Sequence, residues 1–152
     1  MDNIDIVVSG EKWIGYGIKS TLFTICELLD SSEEKIILTI FVLTSDIILE
    51  KIKKALNRGV GIEIYIDKQL TPEKILAELY NLDSQCDYLS LYVAKNKEFI
   101  HSKIIISDYK KVYIGSANLS ENGLISNYEL GVLIEDVDIA LDVENIIKKL
   151  VS

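Results

Sequence analysis

The run Lys35-Ile-Ile-Leu-Thr-Ile-Phe-Val42 is nearly continuous in apolar and β-branched residues. A strand with one wet face alternates polar and apolar side chains, whereas a run of this kind needs apolar partners on both faces. It therefore calls for a sheet covered on two sides, and the neighbouring pattern supplies the cover. Ile18, Leu22, Ile25 and Leu29 recur at helical spacing and predict a helix from about Gly17 to Asp30. Thr44 or Ser45 can cap a second helix whose core face is Ile48, Ile52, Ala55 and Leu56, with Gly59 placed to end it. Val60–Asp67 reads as a strand, and Thr71-Pro72 as N-cap and first residue of a helix carrying Ile75, Leu79 and Leu82.

The second half changes character. Leu89–Val93, Ile100–Ser107, Lys111–Gly115 and Tyr128–Glu135 are short strand candidates with little helix between them. Asp108-Tyr-Lys-Lys111 is a short hairpin connection, and 118–127 is a polar loop. Val143, Ile146, Ile147 and Leu150 predict a terminal helix. Helix–strand alternation followed by antiparallel hairpins implies an α/β fold, a mixed β-sheet flanked by helices. At 152 residues the chain is expected to form one domain over 1–152, large enough for a core without metal or disulfides.

Composition excludes several classes. With 49% hydrophobic and 26% charged residues the chain is neither disordered nor fibrous. No apolar run approaches the roughly 18 residues that span a bilayer. The start, Met1-Asp2-Asn3-Ile4-Asp5, lacks the basic and apolar regions of a signal peptide. Cys26 and Cys86 form no Cys-x-x-Cys pattern and read as free thiols of a cytoplasmic protein. The net charge of −8 argues against tight binding of long duplex DNA without a partner. Between Lys95 and Lys111, however, five lysines stand against Glu98 and Asp108, so a local positive segment can hold a phosphodiester.

That segment also holds the chain's chemistry. His101 and Lys103 share a face of an extended strand, and the hairpin brings Gly115, Ser116 and Asn118 back to their level. An imidazole, an ammonium, a carboxamide and a hydroxyl can thereby converge on a phosphoryl group. Lys103 and Asn118 would donate to non-bridging oxygens and stabilise the pentavalent transition state. Gly115 would let the backbone approach the ligand, and Ser116 would either contact phosphate or shape the turn. His101 can attack phosphorus to give a phosphohistidine, while Glu129 could accept from its other ring nitrogen and fix the tautomer. Asp108, at odd offset from His101, is expected to be structural, accepting local amide bonds. Tyr109, Tyr113 and Tyr128 fit strand or turn positions, with base stacking the lesser alternative. Nothing in the sequence suggests a metal cluster or a cofactor.

The pattern His101-x-Lys103-x4-Asp108-x6-Gly115-Ser116-x-Asn118 resembles in full the HKD signature of the phospholipase D superfamily. The stretches Gly59–Asp67 and Asn127–Ile134 are similar to the flanking strands of its small single-motif bacterial endonucleases, so the resemblance covers roughly Gly17 to Leu150. It implies a metal-independent phosphodiesterase with a phosphohistidine intermediate, acting on DNA or RNA. It also implies an orienting role for Glu129 and a structural one for Asp108. The alternatives are a catalytically idle nucleic-acid-binding or regulatory module, and a phospholipid phosphodiesterase or phosphatidyl transferase. No membrane helix or basic amphipathic helix speaks for a bilayer partner. In this superfamily two histidines share the roles of nucleophile and general acid, and this chain has one. The expected partner is therefore a second copy, a homodimer in which two His101 residues face each other across one site.

Overall fold

The computed structural model describes residues 3–152. Met1 and Asp2, the start of the segment read for a targeting signal and of the 1–152 domain, lie outside the described residues. In chain order the elements are β1 (Ile4–Ser9), β2 (Lys19–Ser20), α1 (Thr21–Ser31), β3 (Lys35–Ile40), α2 (Asp46–Asn57), β4 (Gly61–Ile66) and α3 (Glu73–Gln85). There follow β5 (Leu89–Val93), β6 (Ile104–Ser107), β7 (Lys111–Gly115), β8 (Glu129–Glu135) and α4 (Val137–Lys148). The strands form one mixed sheet in the order β2-β1-β8-β7-β6-β3-β4-β5. Its β3-β4-β5 half is parallel, and the ladder from β3 through β6, β7 and β8 to β1 is antiparallel.

β3 is covered on both faces, as its sequence requires. Ile36, Leu38 and Ile40 belong to the larger core, built with α1, α2 and α3, while Ile37 packs in a second cluster with Ala140 and Ile147 of α4. Each of these isoleucines is worth about 1.5–3 kcal/mol of burial, so the two-sided strand anchors both layers. The caps follow side-chain chemistry. Ser45 Oγ accepts from Ile48 N–H at the start of α2, and Gly59, at φ +88°, turns the chain out of it toward β4.

Three expectations need correction. The first helix starts at Thr21, not Gly17, because Lys19 and Ser20 pair with Val7 and Val8 of β1, and Ser20 then caps the helix at Phe23 N–H. Thr71 does not cap α3; its hydroxyl accepts from Leu43 N–H, and Pro72 holds the cap position. The strand expected over 100–107 is shorter, since β6 begins at Ile104. Beyond that point the Thr39 hydroxyl replaces the ladder, accepting from Ile104 N–H and donating to Ser102 C=O. β1, Ile4–Ser9, was not read from the sequence at all; it pairs with β8 along its whole length.

Candidate active site

The β6–β7 hairpin sets out the residues from His101 to Asn118 along the length of the sheet. His101 and Lys103 lie in the extended segment that enters β6, and Gly115, Ser116 and Asn118 leave β7 beside them, with Gly115 N–H donating to Lys103 C=O at 3.3 Å. The alternation expected of a strand persists in this segment. The Lys103 ammonium reaches the His101 carbonyl at 2.8 Å and stands 3.3 Å from His101 Nδ1, a contact whose donor and acceptor roles depend on the imidazole tautomer. Burial lowers the Lys103 ammonium below the ordinary lysine range, with the Glu129 carboxylate pulling it part of the way back.

The imidazole itself is held by aromatic rings. Phe41, at the end of β3, tilts against it with 4.5 Å between ring centroids, and Phe99 lies nearly parallel at 5.8 Å and 8°. Phe99 is 56% exposed although it is fully apolar. Sequence reading missed both rings. For Phe99 a signal existed: alternation puts residues 99, 101 and 103 on one side of an extended segment.

Asn118 is fixed through its neighbour. Leu119 N–H donates to Val42 C=O, and Leu119 C=O accepts from the amides of Thr44 and Ser45, locking the β7 exit onto the β3–α2 junction. Asn118 Oδ1 is buried without a partner among the described residues. Ser116 Oγ donates to Glu129 Oε1 at 2.7 Å and accepts from Leu130 N–H, so in the free chain it shapes the turn. Glu129 also receives Asn127 Nδ2 at 3.2 Å and makes no hydrogen bond to the His101 of its own chain. The expected Glu129–imidazole contact is therefore absent within one chain.

Asp108 lies at the opposite end of the hairpin. It and Tyr109 occupy the two left-handed positions of a two-residue turn, at φ +51° and +59°, closed by Lys110 N–H to Ser107 C=O. The carboxylate accepts not the local amides expected but ones remote in sequence, those of Glu33, Glu34 and Lys35, at 2.8–3.2 Å. Burial pushes this carboxyl up, and the three amides more than offset it, so it sits below the usual carboxylate range. Lys110, Lys111 and Tyr109 share this end with Asp108 and are remote from His101, whereas Lys95 and Lys97 precede Phe99 on the site side. Tyr113 is buried and Tyr128 packs edge-on to Trp13.

Among the described residues, no group of three or more His, Cys, Asp or Glu side chains could hold a metal ion, and no helix is long and apolar enough to cross a membrane. The arrangement places cationic and amide donors around an imidazole at one end of a mixed sheet, which defines an α/β domain of the phospholipase D type. The chain belongs to the phospholipase D superfamily: the family model described as cardiolipin synthase, PLD-like domain, matches residues 25–151. Over 155 residues it is 25% identical to the DISARM protein DrmC of Bacillus paralicheniformis, covering 99% of this chain and 64% of that protein. The chain spans between about a third and two thirds of the length of such curated relatives. NUC, a phospholipase D family member from Salmonella typhimurium, superposes with TM-score 0.75 at 23% identity, over 93% of this chain and 89% of that one. NucT from Helicobacter pylori gives TM-score 0.69 at 24% identity, over 86% and 87%.

Proposed function

We propose that the protein is a metal-independent phosphodiesterase that hydrolyses DNA or RNA through a phosphohistidine, in a site shared by two copies of the chain. The observation that carries this reading is the gathering of His101, Lys103, Ser116 and Asn118 at one end of the hairpin, with Lys103 Nζ 3.3 Å from the imidazole. In the first step an imidazole nitrogen attacks phosphorus, the P–N bond forms, and the departing alkoxide takes a proton from a general acid. In the second, that group, now a base, takes a proton from water, the hydroxide displaces the histidine, and a phosphomonoester leaves. Lys103 and the Asn118 carboxamide carry the charge on the non-bridging oxygens throughout.

One chain lacks two parts of this scheme. It has a single histidine, so the acid must come from elsewhere. Nor, among the described residues, does any carboxylate hold His101 in the tautomer that frees Nε2: Nδ1 faces an ammonium, and Glu129 is turned to Ser116 and Asn127. A second copy supplies both, its His101 as acid and its Glu129 as the partner of Nδ1. The surface beside the site suits such a copy. Ile6, Val132 and Ile114 are in register on one sheet face, and Ile4, Ile6, Ile114 and Leu130 of this edge are exposed, beyond the reach of α4. Lys95, Lys97 and the exposed Phe99 ring favour a nucleic-acid strand, offering backbone charge and a stacking face.

The test is a substrate panel of single-stranded DNA, duplex DNA, RNA and bis(4-nitrophenyl) phosphate, run in excess chelator. Cleavage that persists in chelator, from a dimer in sedimentation, is expected. Binding without cleavage would favour the idle module, and rescue by magnesium would sink the phosphohistidine route. A second reading, phosphatidyl transfer or phospholipid hydrolysis, draws on the exposed Trp13, Ile14 and Tyr16 of the β1–β2 loop, residue types that settle at membrane interfaces. Liposome flotation and turnover of a phosphatidyl substrate would favour it.

A further inference from the structure

Tyr113 is only 2% exposed, and its hydroxyl is buried with no hydrogen-bond partner among the described residues; Thr21 Oγ1, in the helix packed over it, is equally unpartnered. A buried phenol normally finds a partner, and phenylalanine would fill the same space without that cost. The hydroxyl's place is specific. The ring lies along the sheet toward the site, over two glycines paired across β7 and β8: a Cβ on Gly115 would collide with Tyr113 Oη, and one on Gly131 would stand 3.0 Å from its Cε1. Both glycines thus serve the tyrosine as well as any ligand. Tyr113 lines a cavity of about 10 Å3 together with Lys103, Ala117 and Asn118. Asn118 contributes the other orphan there, the buried acceptor Oδ1. Burial, with the Glu129 carboxylate adding to it and the neighbouring Thr21 hydroxyl opposing it, pushes the phenol up to about 12, so it stays protonated and a donor at any physiological pH.

Two side chains that line one small cavity beside Lys103 thus each carry an unpaired polar atom, one a donor and the other an acceptor. We propose that Tyr113 is a positioning residue: its hydroxyl donates to Asn118 Oδ1 when an anion occupies the site, fixing the carboxamide with its NH2 group on the phosphoryl oxygen. An asparagine amide has two orientations, and only the one with the NH2 toward the anion stabilises it. A donor-only neighbour at Oδ1 selects that orientation. The cavity is small enough to close by a minor side-chain shift.

The inference rests on the phosphodiesterase reading for its kinetic arm alone. Wild type, Tyr113→Phe, Asn118→Ala and the double variant are compared on bis(4-nitrophenyl) phosphate, with thermal melting alongside. Tyr113→Phe is expected to lower kcat about tenfold with KM within twofold and no loss of melting temperature, because only an unsatisfied hydroxyl is removed. In the Asn118→Ala background the same change should have no further effect. Effects that simply multiply, or a Tyr113→Phe kcat within twofold of wild type, would overturn the proposal. The second arm needs no turnover: inorganic phosphate is titrated while the Asn118 side-chain amide is followed by 1H–15N NMR. Wild type should show a phosphate-dependent shift that Tyr113→Phe loses. A shift unchanged in Tyr113→Phe would overturn the proposal even if the wild-type chain cleaved none of the esters, an outcome that would count separately against the phosphodiesterase reading.

Discussion

The two ends of the β6–β7 hairpin belong to one sequence motif and are built to opposite rules. At the Asp108 end the carboxylate is matched: it takes three amides from the residues entering β3, and Asp108 N–H donates to Lys35 C=O at 2.7 Å. At the His101 end an ammonium faces an imidazole, an amide oxygen is buried unpaired, and an apolar ring stands in solvent. A folded chain tolerates such unmatched groups at its own cost, and they cluster where a ligand is to complete them. One end joins the hairpin to the sheet; the other leaves its polar groups unmatched.

Substitutions should separate the ends cleanly. The largest effect is expected for His101→Ala, with turnover reduced by at least about 10³-fold and melting unchanged, since the ring is exposed; steady-state rates and calorimetry check both. Lys103→Met should cost about 10²–10³ in kcat. Burial lowers the pKa of Lys103 in the fold, so the folded state disfavours its charge, and a neutral side chain should melt no lower than wild type. For the same reason wild-type activity should fall on the alkaline side at a pH below the ordinary lysine value of about 10.4.

At the other end the order reverses. Asp108→Asn should destabilise by about 2 kcal/mol in denaturant titrations while leaving kcat within a few-fold. The sign of its pH dependence follows from the depressed carboxyl. The stabilisation is present above the unfolded value of about 3.9 and is lost as pH falls through the lower folded value, so wild type and variant should converge in acid. Smallest of all is Tyr109→Gly. It relieves a bulky residue held at φ +59° and should stabilise by roughly 0.5–1 kcal/mol without touching the rate. A kinetic effect of Tyr109→Gly, or a folding defect in Lys103→Met, would break the division.

The same division governs what the sequence made legible. The two-sided strand at Ile36–Ile40, the cap at Ser45 and the stop at Gly59 are local signals, and each lies where its pattern puts it. His101, Lys103 and Asn118 could be brought together on paper because all lie within one hairpin of known periodicity. What failed depended on contacts remote in sequence. Asp108 was read as holding its own turn, but its amides come from residues 33–35. Within one chain Glu129 is turned to Ser116 and Asn127, contacts that the spacing of the sequence does not display. β1, Ile-Asp-Ile-Val-Val-Ser over residues 4–9, takes its place in the sheet from pairing with β8, remote from it in sequence. Thr71 carried a capping signature, and tertiary packing gave its hydroxyl to Leu43 instead.

The central claim is that covalent chemistry resides at the His101 end and is independent of the Asp108 end. The most direct measurement is to quench turnover of a 32P-labelled diester under alkaline denaturing conditions and map the label by mass spectrometry. An acid-labile phosphoryl group on His101 is expected in wild type and, at comparable occupancy, in folded Asp108→Asn, with none in His101→Ala. Label on another residue, or label abolished in an Asp108→Asn chain that melts as a folded protein, would contradict the account.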